Sequence, residues 1–134
     1  MEFDFNAFME RFAEEIGGQY SEYDRNKSVI IVPLEDNRFQ AVLGVIKYNE
    51  KFQKTGIEFS SKVCPFCEEV DCYQLLVENA RTCYAKFVLA NDFVKVEGSA
   101  FLENMTEEAL KEIVNEVAFL ADEWEYKLTG LDVN

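Results

Sequence analysis

The last part of the chain carries the pattern that most restricts its fold. Between residues 106 and 128, apolar side chains recur at three- and four-residue spacing, which is typical of one face of an α-helix. These side chains are Leu110, Ile113, Val114, Val117, Leu120, Ala121, Trp124 and Leu128. Asn104 or Thr106 can cap the start, and Gly130 suits the position just after the end. At about 1.5 Å per residue, this helix is long enough to cross a small β-sheet and bury its apolar face against it.

Two shorter helices are predicted earlier in the chain. The first covers residues 6–16, where Gly17 and Gly18 can end it because glycine tolerates the backbone turn at a helix terminus. Its apolar stripe consists of Phe5, Phe8, Met9, Phe12, Ala13 and Ile16. The second covers residues 71–81, and its expected apolar face consists of Tyr73, Leu76, Val77 and Ala80.

The segments between the helices are β-branched or alternate between apolar and polar residues, which predicts strands. The predicted strands are residues 28–34, 38–48, 57–63, 83–89 and 93–101. Turn-forming residues at 35–37 and 90–92 join two pairs of them as hairpins. The predicted order is therefore α-β-β-β-α-β-β-α, an antiparallel sheet with helices packed against it, which is an α+β fold.

The strand at residues 38–48 is apolar on both faces. Phe39, Ala41, Leu43 and Val45 lie on one face, and Val42 and Ile46 lie on the other. A sheet that is covered on one side only would alternate more cleanly. Either a helix or loop covers the second face, or that face is a subunit interface. If strand 38–48 contributes to such an interface, the partner or homodimer surface consists of Phe39, Val42, Leu43 and Ile46.

Composition and charge restrict the class of protein. With 134 residues, of which 49% are hydrophobic, residues 1–134 are expected to form a single domain. The net charge of −13 predicts no binding to nucleic acid or to an anionic membrane. It indicates either a self-repelling surface or a partner with a basic segment. The start of the chain lacks the basic residues of a signal peptide, and no apolar run approaches the ~20 residues of a membrane span, so we expect a cytoplasmic protein.

The sequence contains no recognisable catalytic centre. There is no histidine, which removes the commonest general base and the histidine-dependent nucleophilic triads. The six glycines form neither a phosphate-binding loop nor a dinucleotide fingerprint. Most acids of the last helix fall outside its apolar stripe and are expected to be solvated, namely Glu107, Glu108, Glu112, Glu116 and Glu123. Asp122 differs because it lies beside Ala121 and Trp124. We expect no enzyme, no catalytic residue and no cofactor.

Four cysteines form the one cluster that suggests chemistry. Cys64, Cys67, Cys72 and Cys83 follow the spacing C-x2-C-x4-C-x10-C. Four thiolates can hold zinc, and a C-x2-C pair on a turn is half of such a site. Cys83 is expected on the inward face of a strand, where a thiol acts as a small apolar group. Acids at 68, 69 and 71 disfavour the thiolate that redox chemistry needs. Structural cysteines are therefore expected, and a zinc or redox module is the alternative.

Several local features resemble a known family. Asn79-Ala80-Arg81 leads into the strand Tyr84-Ala85-Lys86-Phe87, a hairpin turns at Asn91-Asp92, and the last helix carries Leu120-Ala121-Asp122. With the order of elements, these features resemble class I type III secretion chaperones and the related YbjN-like proteins. The resemblance implies a protein-binding module, usually a homodimer, whose apolar strand and helix surfaces hold an extended partner segment. It implies no catalytic residues. The loop from Cys64 to Cys72 departs from the family pattern, which favours a stand-alone relative over a true secretion chaperone.

The leading hypothesis is a non-enzymatic protein-interaction domain of chaperone-like fold, with a regulatory role open, that binds a segment of a partner protein. The alternative is a small zinc-binding or redox module built on the four cysteines. An enzyme that uses carboxylates ranks third.

Overall fold

Each helix begins where a polar side chain caps its first turn. A computed structural model describes residues 3–129 of the protein. Asp4 accepts a hydrogen bond from the N–H of Ala7 and starts α1, and Thr106 accepts one from the N–H of Ala109 and starts α3. The helices are α1 (Phe5–Glu15), α2 (Cys72–Asn79) and α3 (Glu107–Thr129), with a short 3-10 turn at Glu35–Asn37. The expected end of the last helix at Gly130 lies outside the described residues.

Six strands in the described region form one antiparallel sheet. They are β1 (Gln19–Asp24), β2 (Lys27–Pro33), β3 (Phe39–Asn49), β4 (Lys54–Pro65), β5 (Lys86–Ala90) and β6 (Phe93–Phe101). Their order across the sheet is β1-β2-β3-β4-β6-β5, and every neighbouring pair is antiparallel. Both predicted hairpins are present. In the second, Asn91 and Asp92 have φ angles of 53° and 61°, as a two-residue turn between twisted strands requires. The predicted α+β class is confirmed.

The structure adds β1, a strand that the sequence pattern does not predict. It forms one edge of the sheet, and its residues are exposed apart from the half-buried Tyr20. An edge strand with one inward side chain shows no alternation of apolar and polar residues, so the pattern carried no signal for it. The backbone pairing with β2 still fixes its position, since Tyr20 lies opposite Ile30.

The three helices pack against the same face of the sheet. α1 lies over β1 and β2, α3 crosses β3, β4 and β6, and α2 lies beside β5. The inward face of the sheet carries large buried side chains, among them Ile30, Val42, Phe59, Phe87 and Val96. The predicted face of α3 is confirmed, because it is buried from Leu110 to Trp124. Among residues 3–129, no helix has the length and apolar character that crossing a membrane would need.

A row of three residues sets how closely the helices approach. Gly44, Phe59 and Gly98 lie side by side on β3, β4 and β6. A Cβ at Gly44 would lie 2.7 Å from Cζ of Phe5 on α1. The two glycines therefore flank the ring of Phe59, which is fully buried between the helices. This arrangement lets α1 and α3 contact the sheet backbone on either side of the ring.

The packing of helices on one face of the sheet explains part of the apolar character of β3 on both faces. Val42 is completely buried on the inward face, and Ile46 packs against the core from the same side. Val42 and Ile46 therefore do not belong to the partner surface predicted from the sequence, because the helices already cover them. Phe39 and Leu43 lie on the opposite face, where Phe39 is 45% exposed and Leu43 is half-buried.

Gly98→Ala is expected to lower the free energy of unfolding by about 1–3 kcal/mol, the usual cost of overpacking a core. The added Cβ would lie 2.8 Å from Cγ2 of Ile113 and 3.1 Å from Cγ2 of Val117. Both neighbours are β-branched helix residues with one strongly preferred rotamer, so they cannot swing away. Urea denaturation measures the effect.

Gly56→Ala is the matched control on β4. Its added Cβ would meet nothing closer than 3.5 Å, which is ordinary contact. Stability should be unchanged or slightly raised, because alanine restricts the unfolded chain. An equal loss in both variants would contradict the role assigned to helix packing at Gly98.

Candidate interaction surfaces

Helix α2 turns most of its apolar side chains towards solvent. Asp71 caps the helix by accepting a hydrogen bond from the N–H of Gln74. Of its eight residues, only Leu75 is buried. Tyr73, Leu76 and Val77, which the sequence pattern assigned to an inward face, are 77%, 68% and 50% exposed. That assignment was wrong because α2 lies over the edge of the sheet, where there is room to bury one side chain only.

An apolar groove lies between α2 and the edge strand β5. We call it the α2–β5 groove; it is lined by Phe66, Leu75, Leu76, Phe87, Leu89 and Val94 and encloses about 150 Å³. Phe66 is 42% exposed and Leu89 is 54% exposed, although both are large apolar side chains. Leu76 of α2, which is 68% exposed, lines the groove with them, and exposed apolar surface of this kind marks a binding site.

The backbone edge beside this groove is closed at one point. The side-chain oxygen of Asn79 accepts a hydrogen bond from the N–H of Phe87 at 2.6 Å, and its Nδ2 donates to the carbonyl oxygen of Phe87 at 3.4 Å. The amide side chain thus pairs with both backbone groups, as a neighbouring strand would. Lys86 also donates to the carbonyl oxygens of Asn79 and Thr82 at 2.8 Å, which fastens the end of α2 to β5.

The surroundings of the groove are acidic. Glu68 and Glu69 lie in the exposed loop before α2, Asp71 is its cap and Glu78 lies in its last turn. Of the bases near the groove, Arg81 is paired with Glu78 at 3.2 Å and Lys86 donates to backbone carbonyls, so the four acids outnumber them. A ligand for this groove therefore needs apolar side chains, and positive charge would favour its approach.

The opposite face of the sheet forms a second accessible surface. In the described region, no helix lies against it, and its apolar side chains on β2 and β3 are only partly buried. They are Val29, Ile31, Phe39, Ala41, Leu43 and Val45. The sequence correctly placed Phe39 and Leu43 on one side of the strand, because they are four residues apart, and their role as a partner surface stays a prediction.

The four cysteines are not gathered into one site. All are free; Cys64 is buried on β4, and Cys67, Cys72 and Cys83 are exposed. The inward position predicted for Cys83 is therefore wrong. No three cysteine or carboxylate side chains within residues 3–129 are grouped so that they could hold a metal ion. Burial, followed by the neighbouring Cys67 and Glu125, raises the pKa of the Cys64 thiol, which disfavours the reactive thiolate.

Two carboxylates near the end of α3 are buried. Asp122, which the sequence distinguished from the other acids, pairs with Arg38 at 3.0 Å, and its side chain is 6% exposed. The guanidinium of Arg38 also lies 5.2 Å from the ring centroid of Tyr126. Glu125 is fully buried. The sequence contained a signal for it, since Glu125 lies four residues after Ala121 and three before Leu128, inside the apolar stripe.

Glu116 holds the chain that enters β5. Its carboxylate accepts hydrogen bonds from the successive N–H groups of Cys83, Tyr84 and Ala85 at 3.1, 2.6 and 2.6 Å. Because these groups bond to a side chain, β5 begins at Lys86 and not at residue 83, and Cys83 stays outside the sheet. Glu116 is thus not a solvated acid as predicted. Burial acts to raise its pKa, but the three N–H groups and the charge of Lys86 together lower it.

Comparison with known proteins adds no family. No protein-family model matches the chain, and no curated protein matches it. The resemblance to type III secretion chaperones and YbjN-like proteins therefore stays a prediction, and the argument for function depends on the geometry of the surfaces.

Glu116→Gln is expected to lower the free energy of unfolding by about 1.5–3 kcal/mol at neutral pH, as for hydrogen bonds to a charged group. The folded-state pKa of Glu116 is below its ordinary 4.5, so its contribution is complete above that value and is lost as the pH falls through the lower folded-state pKa. The difference between wild type and variant, measured by urea denaturation, should therefore shrink in acid. Glu112→Gln, at an exposed site one turn earlier, is the control. Equal effects of the two variants on stability would contradict the role of Glu116 in holding the N–H groups of residues 83–85.

Proposed function

We propose that this protein is a non-enzymatic protein-interaction domain that binds a partner segment in the α2–β5 groove. The observation that carries the proposal is the exposure of Leu76 of α2, which is 68% exposed and lines the groove together with the exposed Phe66 and Leu89. A helix of eight residues that buries only Leu75 gains little from its own packing. Its exposed apolar side chains are accounted for when a partner covers them.

The chemistry of the partner follows from the charge around the groove. Glu68, Glu69 and Asp71 precede or cap α2, and the whole chain carries −13. A segment that combines aliphatic or aromatic anchors with lysine or arginine would fill the groove and neutralise its surroundings. The groove is small, at about 150 Å³, so one or two anchor side chains occupy it.

Homodimerisation is the second part of the proposal. Two apolar surfaces are exposed, the α2–β5 groove and the face of the sheet that carries Phe39 and Leu43. Either offers a second copy an apolar contact, and closed two-fold dimers are the commonest soluble oligomers. The zinc or redox alternative lacks comparable support, because the four cysteines do not share one environment. Cys64 is buried, whereas the other three cysteines are exposed.

Panning a library of random displayed peptides against the protein tests the groove. Enriched peptides should combine aliphatic or aromatic anchors with basic residues, and fluorescence anisotropy gives their Kd. Leu76→Glu should raise the Kd at least about tenfold, because it removes an anchor contact and adds a charge to an apolar groove. Leu76 is an exposed residue, so the variant should fold.

Phe119→Glu is the matched control, because Phe119 is an apolar helix residue that is 63% exposed on α3. It should leave the Kd unchanged. Failure to enrich any peptide, or enrichment of peptides whose Kd is indifferent to Leu76→Glu, would refute binding in the groove.

Sedimentation equilibrium tests the dimer. At micromolar concentration and physiological salt, the mass should be about twice 15.5 kDa. A mass of one chain across the micromolar range would remove the homodimer from the proposal and leave the groove to be judged by peptide binding alone.

A further inference from the structure

Two lysines face each other directly on the uncovered side of the sheet. Lys62 on β4 lies opposite Lys95 on β6 in the strand register. Like charges in directly opposite positions of an antiparallel pair repel and destabilise the sheet. The position is also unexpected because lysine and arginine are outnumbered two to one by acids in this chain, with 13 against 26.

Neither lysine forms an ion pair within the described part of the chain. Lys47, Lys54 and Lys111 each pair with a carboxylate. No ion pair includes Lys62 or Lys95. The nearest aromatic contact places Nζ of Lys62 5.4 Å from the ring centroid of Phe93. Glu97, the next outward residue of β6, interacts with the charge of Lys95 and balances it in part, so the positive charge of this site is greatest at Lys62.

The lysines border an apolar depression. This lysine depression has a volume of about 360 Å³ and is lined by Tyr23, Val29, Ala41, Leu43, Lys62 and Lys95, with Ser60 of β4. Tyr23 is 66% exposed and the floor is only partly buried, so the depression is open to solvent. A small molecule usually buries most of its surface in its site. An open, shallow surface that combines apolar floor and positive rim fits a peptide better.

We propose that the lysine depression binds an acidic, apolar peptide segment of a partner protein. Carboxylates of the segment pair with Lys62 and Lys95, and its aliphatic or aromatic side chains lie on Val29, Ala41 and Leu43. Charge complementarity selects this occupant. A nucleic acid carries one charge per phosphate along its whole length and is repelled by the net charge of −13, whereas a short acidic segment meets only the local positive charge.

This site goes beyond the α2–β5 groove, because it lies on the opposite face of the sheet and selects the opposite charge. The relief of repulsion also links binding to stability. A carboxylate placed between Lys62 and Lys95 offsets their mutual repulsion, so the bound segment stabilises the sheet in addition to making its own contacts.

A displayed library of acidic, apolar peptides, built from Asp, Glu, Ser, Tyr and aliphatic residues, tests the proposal. Wild-type protein should enrich binders, and the double variant Lys62→Glu, Lys95→Glu should raise their Kd at least about tenfold. Raising the salt from about 0.1 M to about 1 M shortens the Debye length from about 10 Å to about 3 Å and should also weaken binding. Arg25→Glu with Lys51→Glu, two exposed hairpin residues, makes the same change in net charge and should leave the Kd unchanged.

Lys62→Glu alone separates binding from folding. It places opposite charges across the β4–β6 pair, so the Tm should rise while peptide binding falls. Leu76→Glu in the α2–β5 groove should leave the acidic peptides bound, so the two sites fail independently. The proposal would be overturned if the wild-type protein enriched no acidic peptides, or if the peptides bound wild type and the double variant with equal Kd. It would also be overturned if single-stranded nucleic acid bound the wild-type protein more tightly than the peptides did.

Discussion

The packing of α3 against bare strand backbone at Gly98 governs the architecture. Ile113 and Val117 occupy the space that a side chain at this position would fill, which brings the helix close to β6 and lets it cross to β3. Phe59 then fills the gap between α3 and α1 and is completely buried. One long helix and one ring therefore join both halves of the sheet into a common core. The positions of α1 and α2 on the sheet follow from this contact between α3 and Gly98.

The same contact explains why accessible apolar surface remains. Because α1 and α3 cover the centre of one face of the sheet, α2 packs at its edge beside β5. Of the side chains of α2, only Leu75 is buried there. The opposite face receives no helix in the described region. The two surfaces that we assign to binding are thus by-products of a one-sided arrangement, and their apolar side chains are compatible with folding because the core is complete without them.

The elements that could be predicted from the sequence are those with a clear period. The face of α3, the stripe of α1 and both hairpins follow from spacing and turn residues alone. α2 was placed correctly, but its orientation was not, because the consecutive Leu75, Leu76 and Val77 spread the apolar side chains over a wide arc of the helix, and spacing alone did not show that only the Leu75 part of this arc faces the sheet. Cys83 was misplaced for another reason. Its N–H is held by Glu116, a residue 33 positions away in sequence, and local alternation carries no information about such a partner.

The two edges of the sheet have consequences for how the protein associates with others. Asn79 occupies the backbone groups of Phe87 on β5, and β1 is short, polar and irregular in register near Tyr23. Both features interrupt the backbone ladder that an incoming strand would need, so they disfavour strand addition at the edges of the sheet. A partner bound at the proposed surfaces would then be recognised through side chains, which vary without disturbing the backbone. If the proposed surfaces bind partners, surface substitutions can change those partners over evolutionary time while the fold stays the same.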